Sequence, residues 1–250
     1  MVGLLPGTTR GDEAVVYSAH YDHFGVGRPI DGDAIYNGAR DNASGTAALI
    51  ALARAFAEMP APQRSVIFFA TTAEESGLLG SEYYVAHPVV PLAKTVMAVN
   101  VDVFNVYGPA ADFAAGIVQY TDAVTTIATI GEGLGLDLNV AEADKRGGAF
   151  RSDHFPFCAR GVVALSVGTG RRLRGLTEEQ AKERFDALFE GRYHQPSDEI
   201  DPRWRYDGSI QALNLVYRVG RHWADGAEPP ALLPDNPFVP ALRMRGGEGH

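Results

Sequence analysis

The chain has 250 residues, 46% of them hydrophobic, enough for one large domain with a full core and too even for two cores joined by a linker. Its formal net charge is −9, with no run of Lys or Arg long enough to track a phosphate backbone, which argues against a nucleic-acid partner. No stretch approaches the roughly 18 apolar residues of a membrane span, the first seven residues lack the basic flank and apolar region of a signal peptide, and the single cysteine, Cys158, excludes an intrachain disulfide and a Cys-based zinc site.

Residues 13–19 form an apolar run with β-branched and aromatic members, the pattern of a strand buried on both faces. His20-Tyr21-Asp22 follows at once. Residues two apart on extended chain share a face, so His20 can ligate a metal while Asp22 fixes its ring. The bland alternative is an exposed His at a strand end. His23 comes next, and spacing does not choose between the two imidazoles, although the turn at Phe24-Gly25 directs His23 outward. The loop 37–45 is turn-rich and opens onto a helix over 44–58, whose Ala48, Leu49, Leu52, Ala55 and Phe56 recur at three- and four-residue steps until Pro60 ends it. Asp41 in that loop can bridge two cations with its two oxygens. The alternative is ordinary capping by Asp41, Asn42 or Ser44. A calcium loop starting at Asp31 fails, because its sixth position is Tyr36 instead of glycine and its twelfth is Asn42 instead of glutamate.

A second strand over 65–71 leads to Glu74-Glu75. Adjacent side chains diverge there, so one can bind metal while the other stays free as a base; zinc lowers the pKa of a bound water to about 7. A solvated helix start is the competing reading, with the helix over 78–86 stopping before Pro88. A third strand over 95–101 ends in Asn100-Val101-Asp102, where an unpaired carboxylate is costly and calls for a cation or several donors. Then come helices over 122–134, 177–189 and 207–223 and a strand over 162–167. His194 sits in the polar loop 193–199 and alone reads as an exposed histidine. Residues 224–250, rich in Pro, Gly and charge, read as a tail that wraps the surface or stays disordered. Alternating strands and helices predict an α/β fold, a mostly parallel sheet covered by helices on both faces. In such sheets ligands gather beyond the carboxyl ends of the strands, where His20, Glu74, Glu75 and Asp102 fall. There is no Gly-x-Ser-x-Gly elbow and no His-Glu-x-x-His helix.

In order, the segments Ser18-Ala19-His20-Tyr21-Asp22-His23, Gly38-Ala39-Arg40-Asp41-Asn42-Ala43-Ser44-Gly45, Thr72-Ala73-Glu74-Glu75-Ser76-Gly77, Asn100-Val101-Asp102, Phe150-Arg151-Ser152-Asp153-His154-Phe155 and Tyr193-His194-Gln195-Pro196-Ser197-Asp198 closely resemble the di-zinc exopeptidase family of aminopeptidase Y, bacterial leucyl aminopeptidases and glutamate carboxypeptidase. The resemblance covers residues 1–223, taken as one catalytic domain, with 224–250 as an irregular tail. It implies a three-layer αβα fold with a mostly parallel, mixed central sheet, two Zn2+ ions per chain and a peptide or aminoacyl substrate. It further implies Asp41 as the bridge, His20 and Asp102 at one zinc, Glu75 and His194 at the other, Glu74 as general base, Asp22 orienting His20, and Arg151, Asp153, His154 and Phe155 along the substrate side of the cleft. Members of that family usually carry a helix before the strand that resembles residues 2–6, and many carry a further domain. The resemblance therefore implies a chain that has lost N-terminal material and leaves localisation unknown, favouring a secreted or periplasmic protein if the N-terminus is truncated. Two rivals stand beside an aminopeptidase: glutaminyl cyclisation on the same fold with a single zinc, and a catalytically dead binding domain, as in transferrin receptor ectodomains.

Overall fold

A computed structural model describes residues 1–140 and 150–238. Seven strands build one mixed sheet: β1 (Val2–Leu5), β2 (Arg10–His20), β5 (Arg64–Thr71), β6 (Thr95–Asn100), β7 (Asp112–Gly116), β8 (Asp137–Leu138) and β9 (Ala164–Thr169). They lie in the order β1-β5-β2-β6-β9-β7-β8, and a separate hairpin joins β3 (Gly25–Ile30) to β4 (Asp33–Tyr36). The four central strands β5, β2, β6 and β9 run parallel, while β1 pairs antiparallel with β5 at one edge and β7 antiparallel with β9. Ala14 to Tyr17 of β2 and Met97 to Val99 of β6 are fully buried, which is why these strands read as continuous apolar runs instead of alternating ones.

Among the described residues, α1 (Ser44–Glu58), α2 (Leu79–Ala86), α3 (Val124–Glu132), α4 (His154–Cys158) and α6 (Tyr206–Ala224) pack on the sheet, while α5 (Glu178–Phe185) joins a second cluster with Val106, Tyr107 and Leu173. Neighbouring residues of β5 show the two faces. Phe68 packs with Tyr17 and with Phe56 of α1, and Phe69 stacks on Tyr84 of α2. α6 lies close over β2 because Gly220 has no side chain; a Cβ there would overlap the phenol of Tyr17, whose hydroxyl donates to the carbonyls of Val216 at 3.1 Å and Tyr217 at 3.2 Å. One turn further on, at the C-terminal end of α6, buried Arg64 donates to Glu13 (2.6 Å) and to the carbonyls of Trp223 and Ala227, tying β5 to the helix terminus.

The crossovers place the site. From β2 the chain passes to β5 on one side, then back across β2 to β6 on the other. Such a reversal opens a crevice at the carboxyl end of the strand between them. His20 is the last residue of β2.

The predicted helix over 44–58 forms with those bounds. The one expected over 177–189 closes its regular part at Phe185 and continues as a wider turn over Asp186–Glu190. β7, β8, α4 and the β3–β4 hairpin had no counterpart in the sequence reading. Past α6, Leu232 bridges to Thr121, and Phe238 is fully buried beside Tyr120, Phe150 and Phe155. The rest of the expected tail, 239–250, lies outside the described residues. Among the described residues no helix is long and apolar enough to cross a membrane.

Candidate metal centre

His20 leaves β2 fully buried, with Nε2 3.2 Å from Asp41 Oδ1 and 3.2 Å from Asp102 Oδ1. The second oxygen of Asp41 faces the opposite way: His194 Nε2 lies 3.2 Å from Asp41 Oδ2 and 3.3 Å from Glu75 Oε2. The five residues therefore form two half-sites sharing one carboxylate, one oxygen to each. These spacings match the chemistry of a tetrahedral zinc, since two ligand atoms at ~2.0–2.1 Å from one ion are about 3.3 Å apart. Four independent pairs at 3.2–3.3 Å are thus set for ions between them, and the donor set of two imidazoles and three carboxylates suits zinc.

The electrostatics point the same way. Burial opposes a charged His20, yet its contacts with Asp102 and Asp41 outweigh that and push the imidazole up to about 12. The carboxylates that raise His20 make the site negative, a charge that a bound cation would neutralise. Glu74 stands beside the half-sites, and burial, reinforced by the Asp102 charge, lifts its carboxyl to about 8. It lines the cleft and takes part in neither half-site.

The supports of each candidate ligand are visible. His20 Nδ1 lies 3.2 Å from the main-chain carbonyl of Asp22, whereas the Asp22 carboxylate is 3.8 Å away. The sequence reading gave the orienting role to the Asp22 side chain; the carbonyl is in hydrogen-bond range, and the carboxylate instead accepts the backbone N–H of Glu75 at 3.3 Å. Asp102 is fixed by a relay: Ser152 donates to its Oδ2 (2.8 Å), Asn100 Nδ2 donates to Ser152 (2.8 Å), and Ser18 donates to Asn100 Oδ1 (2.8 Å). Asp198 accepts the backbone N–H groups of Arg40 and Asp41 at 2.9–3.1 Å, pinning the loop of the bridging residue to the loop of His194. Arg40 itself is buried, its guanidinium over the rings of Phe189 and Tyr107. Ala73, Val103 and His194 all have positive φ (56°, 53° and 57°). Non-glycine residues held in this sparsely populated region cluster where a site imposes its geometry on the chain.

The cleft beside the cluster encloses about 710 Å3 and is lined by Phe24, Leu78, Phe150, Phe155, Val103 and Tyr193 among others. Arg151, His154 and Phe155 of the predicted substrate segment line it as expected. Asp153 does not. It is fully buried, accepting hydroxyl hydrogen bonds from Thr71 and Ser81 at 2.5 Å each, so the assignment of Asp153 to the substrate side is corrected to a tie between α4, β5 and α2. His23 also departs from the reading that turned it outward, for its side chain is 6% exposed and its Nδ1 lies 2.7 Å from Glu75 Oε1. Ser152, Asn100 and Asp198 stood inside the quoted segments without roles, and no spacing rule connects them to their partners. A second groove of about 800 Å3 between α1 and α6 is lined by Ala47, Ala51, Phe104, Ile210 and Leu213; it holds no cluster of ligating side chains, so the chemistry belongs to the cleft.

A model of peptidase family M28 matches residues 1–217. Aminopeptidase YwaD of Bacillus subtilis (strain 168) is 28% identical over 201 residues, 78% of this chain and 38% of its own length. A probable glutamate carboxypeptidase of Arthroderma benhamiae is 33% identical over 119 residues, 46% of this chain and 15% of its own. Among solved structures, BSAP, a zinc aminopeptidase from Bacillus subtilis, superposes with a TM-score of 0.62 at 25% identity, covering 94% of this chain and 52% of that one. The chain thus spans about half the length of this solved relative and less of the other two.

Proposed function

This chain belongs to peptidase family M28, and from that premise we propose that it is a zinc-dependent exopeptidase, an aminopeptidase in preference to a carboxypeptidase. The observation that carries the reading is the division of Asp41, whose two oxygens face two half-sites with a separate carboxylate, Glu74, beside them. His20, Asp41 and Asp102 would hold one ion, and Asp41, Glu75 and His194 the other. When bound, the pair supplies a water acidic enough to lose its proton near neutrality and a Lewis acid for the scissile carbonyl.

The chain's own groups do the rest. Glu74 takes a proton at its carboxylate from the attacking water and returns it to the departing amine, the two halves of general base and acid catalysis. Two positive charges nearby would lower the pKa that burial and Asp102 raise, leaving Glu74 an ionised base at working pH. The apolar rings of Phe24, Phe150 and Phe155 shield the reacting bond from bulk water and offer contact surface to a substrate side chain. The aminopeptidase direction is favoured because aminopeptidase YwaD matches 78% of this chain and the solved relative BSAP is a zinc aminopeptidase. Two half-sites also separate this reading from single-zinc glutaminyl cyclisation.

Glu74→Gln keeps the shape and removes the base. It is expected to retain two zinc ions per chain, by elemental analysis, and to lose about 10²–10⁴-fold in kcat on aminoacyl substrates. Full activity in that variant would overturn the mechanism.

A further inference from the structure

His23 is the imidazole that the two half-sites leave over. Its Nδ1 lies 2.7 Å from Glu75 Oε1, while the other oxygen of Glu75 faces His194 at 3.3 Å. A ring nitrogen of His23 comes within 4.8 Å of oxygens of both Asp41 and Glu75, so direct ligation of an ion is the first possibility to weigh. The distances decide against it. Ligand atoms sharing a tetrahedral zinc sit about 3.3 Å apart, the spacing of the four pairs around Asp41, whereas 2.7 Å is the length of a charge-assisted N–H···O hydrogen bond.

We propose that His23 is a positioning residue for the second metal half-site: it donates from Nδ1 to Oε1 of Glu75 and so presents Glu75 to the ion through Oε2 alone. Glu75 is an acceptor, which assigns the proton to Nδ1. His23 Nε2 is buried with no hydrogen-bond partner among the described residues, and a bare lone pair there is cheaper than an orphaned N–H. The ring is held in place by backbone. Gly38, at φ 61°, packs onto its Cβ–Cγ end so closely that a Cβ on residue 38 would fall 2.7 Å from His23 Cγ. Phe24, 4.8 Å away, and His194, 5.8 Å away, close the remaining sides. Asp102 shows the same device at the first half-site, where Ser152 occupies Oδ2 and leaves Oδ1 toward His20. Each terminal carboxylate ligand is thus tied by one oxygen, the first by a hydroxyl and the second by an imidazole.

The inference rests on the two-ion reading, and zinc titration against a chromophoric chelator tests both separately. Wild-type apoprotein binding fewer than two ions would sink the functional reading before His23 is considered. Given two ions, His23→Leu is expected to weaken one of them by about 10–100-fold and leave the other unchanged, the usual effect of losing an outer partner of a ligand. His23→Asn, whose Nδ2 can stand where Nδ1 stood, is expected to recover most of that loss. Unchanged affinities in His23→Leu would overturn the proposal, as would His23→Asn binding no better than His23→Leu. So would a His194→Ala protein that holds both ions at wild-type affinity, since His23 would then be a ligand itself.

Discussion

Asp153 is a carboxylate kept away from water with two hydroxyls for company. Burial outweighs the hydrogen bonds from Ser81 and Thr71 and raises its carboxyl from near 4 to about 6. The folded state therefore holds the proton more tightly than the unfolded chain between those values. Its contribution to stability is full below about pH 4 and is lost as pH rises through about 6. Chemical denaturation of metal-free protein should show wild type gaining up to about 3 kcal/mol on Asp153→Asn between pH 7 and pH 4; a pH-independent difference would show that Asp153 does not titrate. The candidate ligands could be picked out in the sequence because few residue types bind zinc and the motifs fall in the order of the family they resemble. Their supports could not be. Asn100 meets Ser18 because β2 and β6 pair in that register, and Ser152 reaches Asp102 across fifty positions. Asp153 was misplaced because neighbours on the short turn into α4 point to different sides, so Ser152 faces the cleft and Asp153 the sheet.

Gly220 shows how one element depends on another. In an isolated helix Ala in its place would add about 1 kcal/mol of stability. Here the new methyl would meet the buried ring of Tyr17, and overpacking a tight core typically costs about 1–3 kcal/mol before any lost hydrogen bond is counted. Gly220→Ala should therefore lower the denaturation midpoint, and a higher midpoint would mean that α6 can lift off β2 freely. Such dependence also explains which elements could be read in advance. β2, β5 and β6 are buried on both faces and appear as unbroken apolar runs. β3 is exposed along its whole length, β8 has two residues and α4 has five with Pro156 among them, so none carries a period long enough to detect.

At the scale of the whole molecule the centre is an electrostatic liability that ions relieve. Asp41, Glu74, Glu75 and Asp102 crowd one cleft with His20 and His194. Stripping zinc with a chelator should lower the melting temperature, since each ion at a hundredfold excess over its Kd adds about 2.7 kcal/mol, or roughly 10–20 °C for two ions in a chain of this size. Coincident calorimetric melts with and without zinc would show that the cluster holds no ion. The knot of Asp198 on Arg40 and Asp41 carries one more consequence. A ribosome releases the chain from its amino end, so His20, Asp41, Glu75 and Asp102 emerge while His194 and Asp198 are still to be made. The first half-site then has its three candidate ligands, but not yet Ser152, which holds Asp102, or Asp198, which holds the loop of Asp41. The second has neither its imidazole nor the clasp that steadies the bridging loop until residues 194–198 are made, so an ion there would bind only after segments 157 positions apart have met.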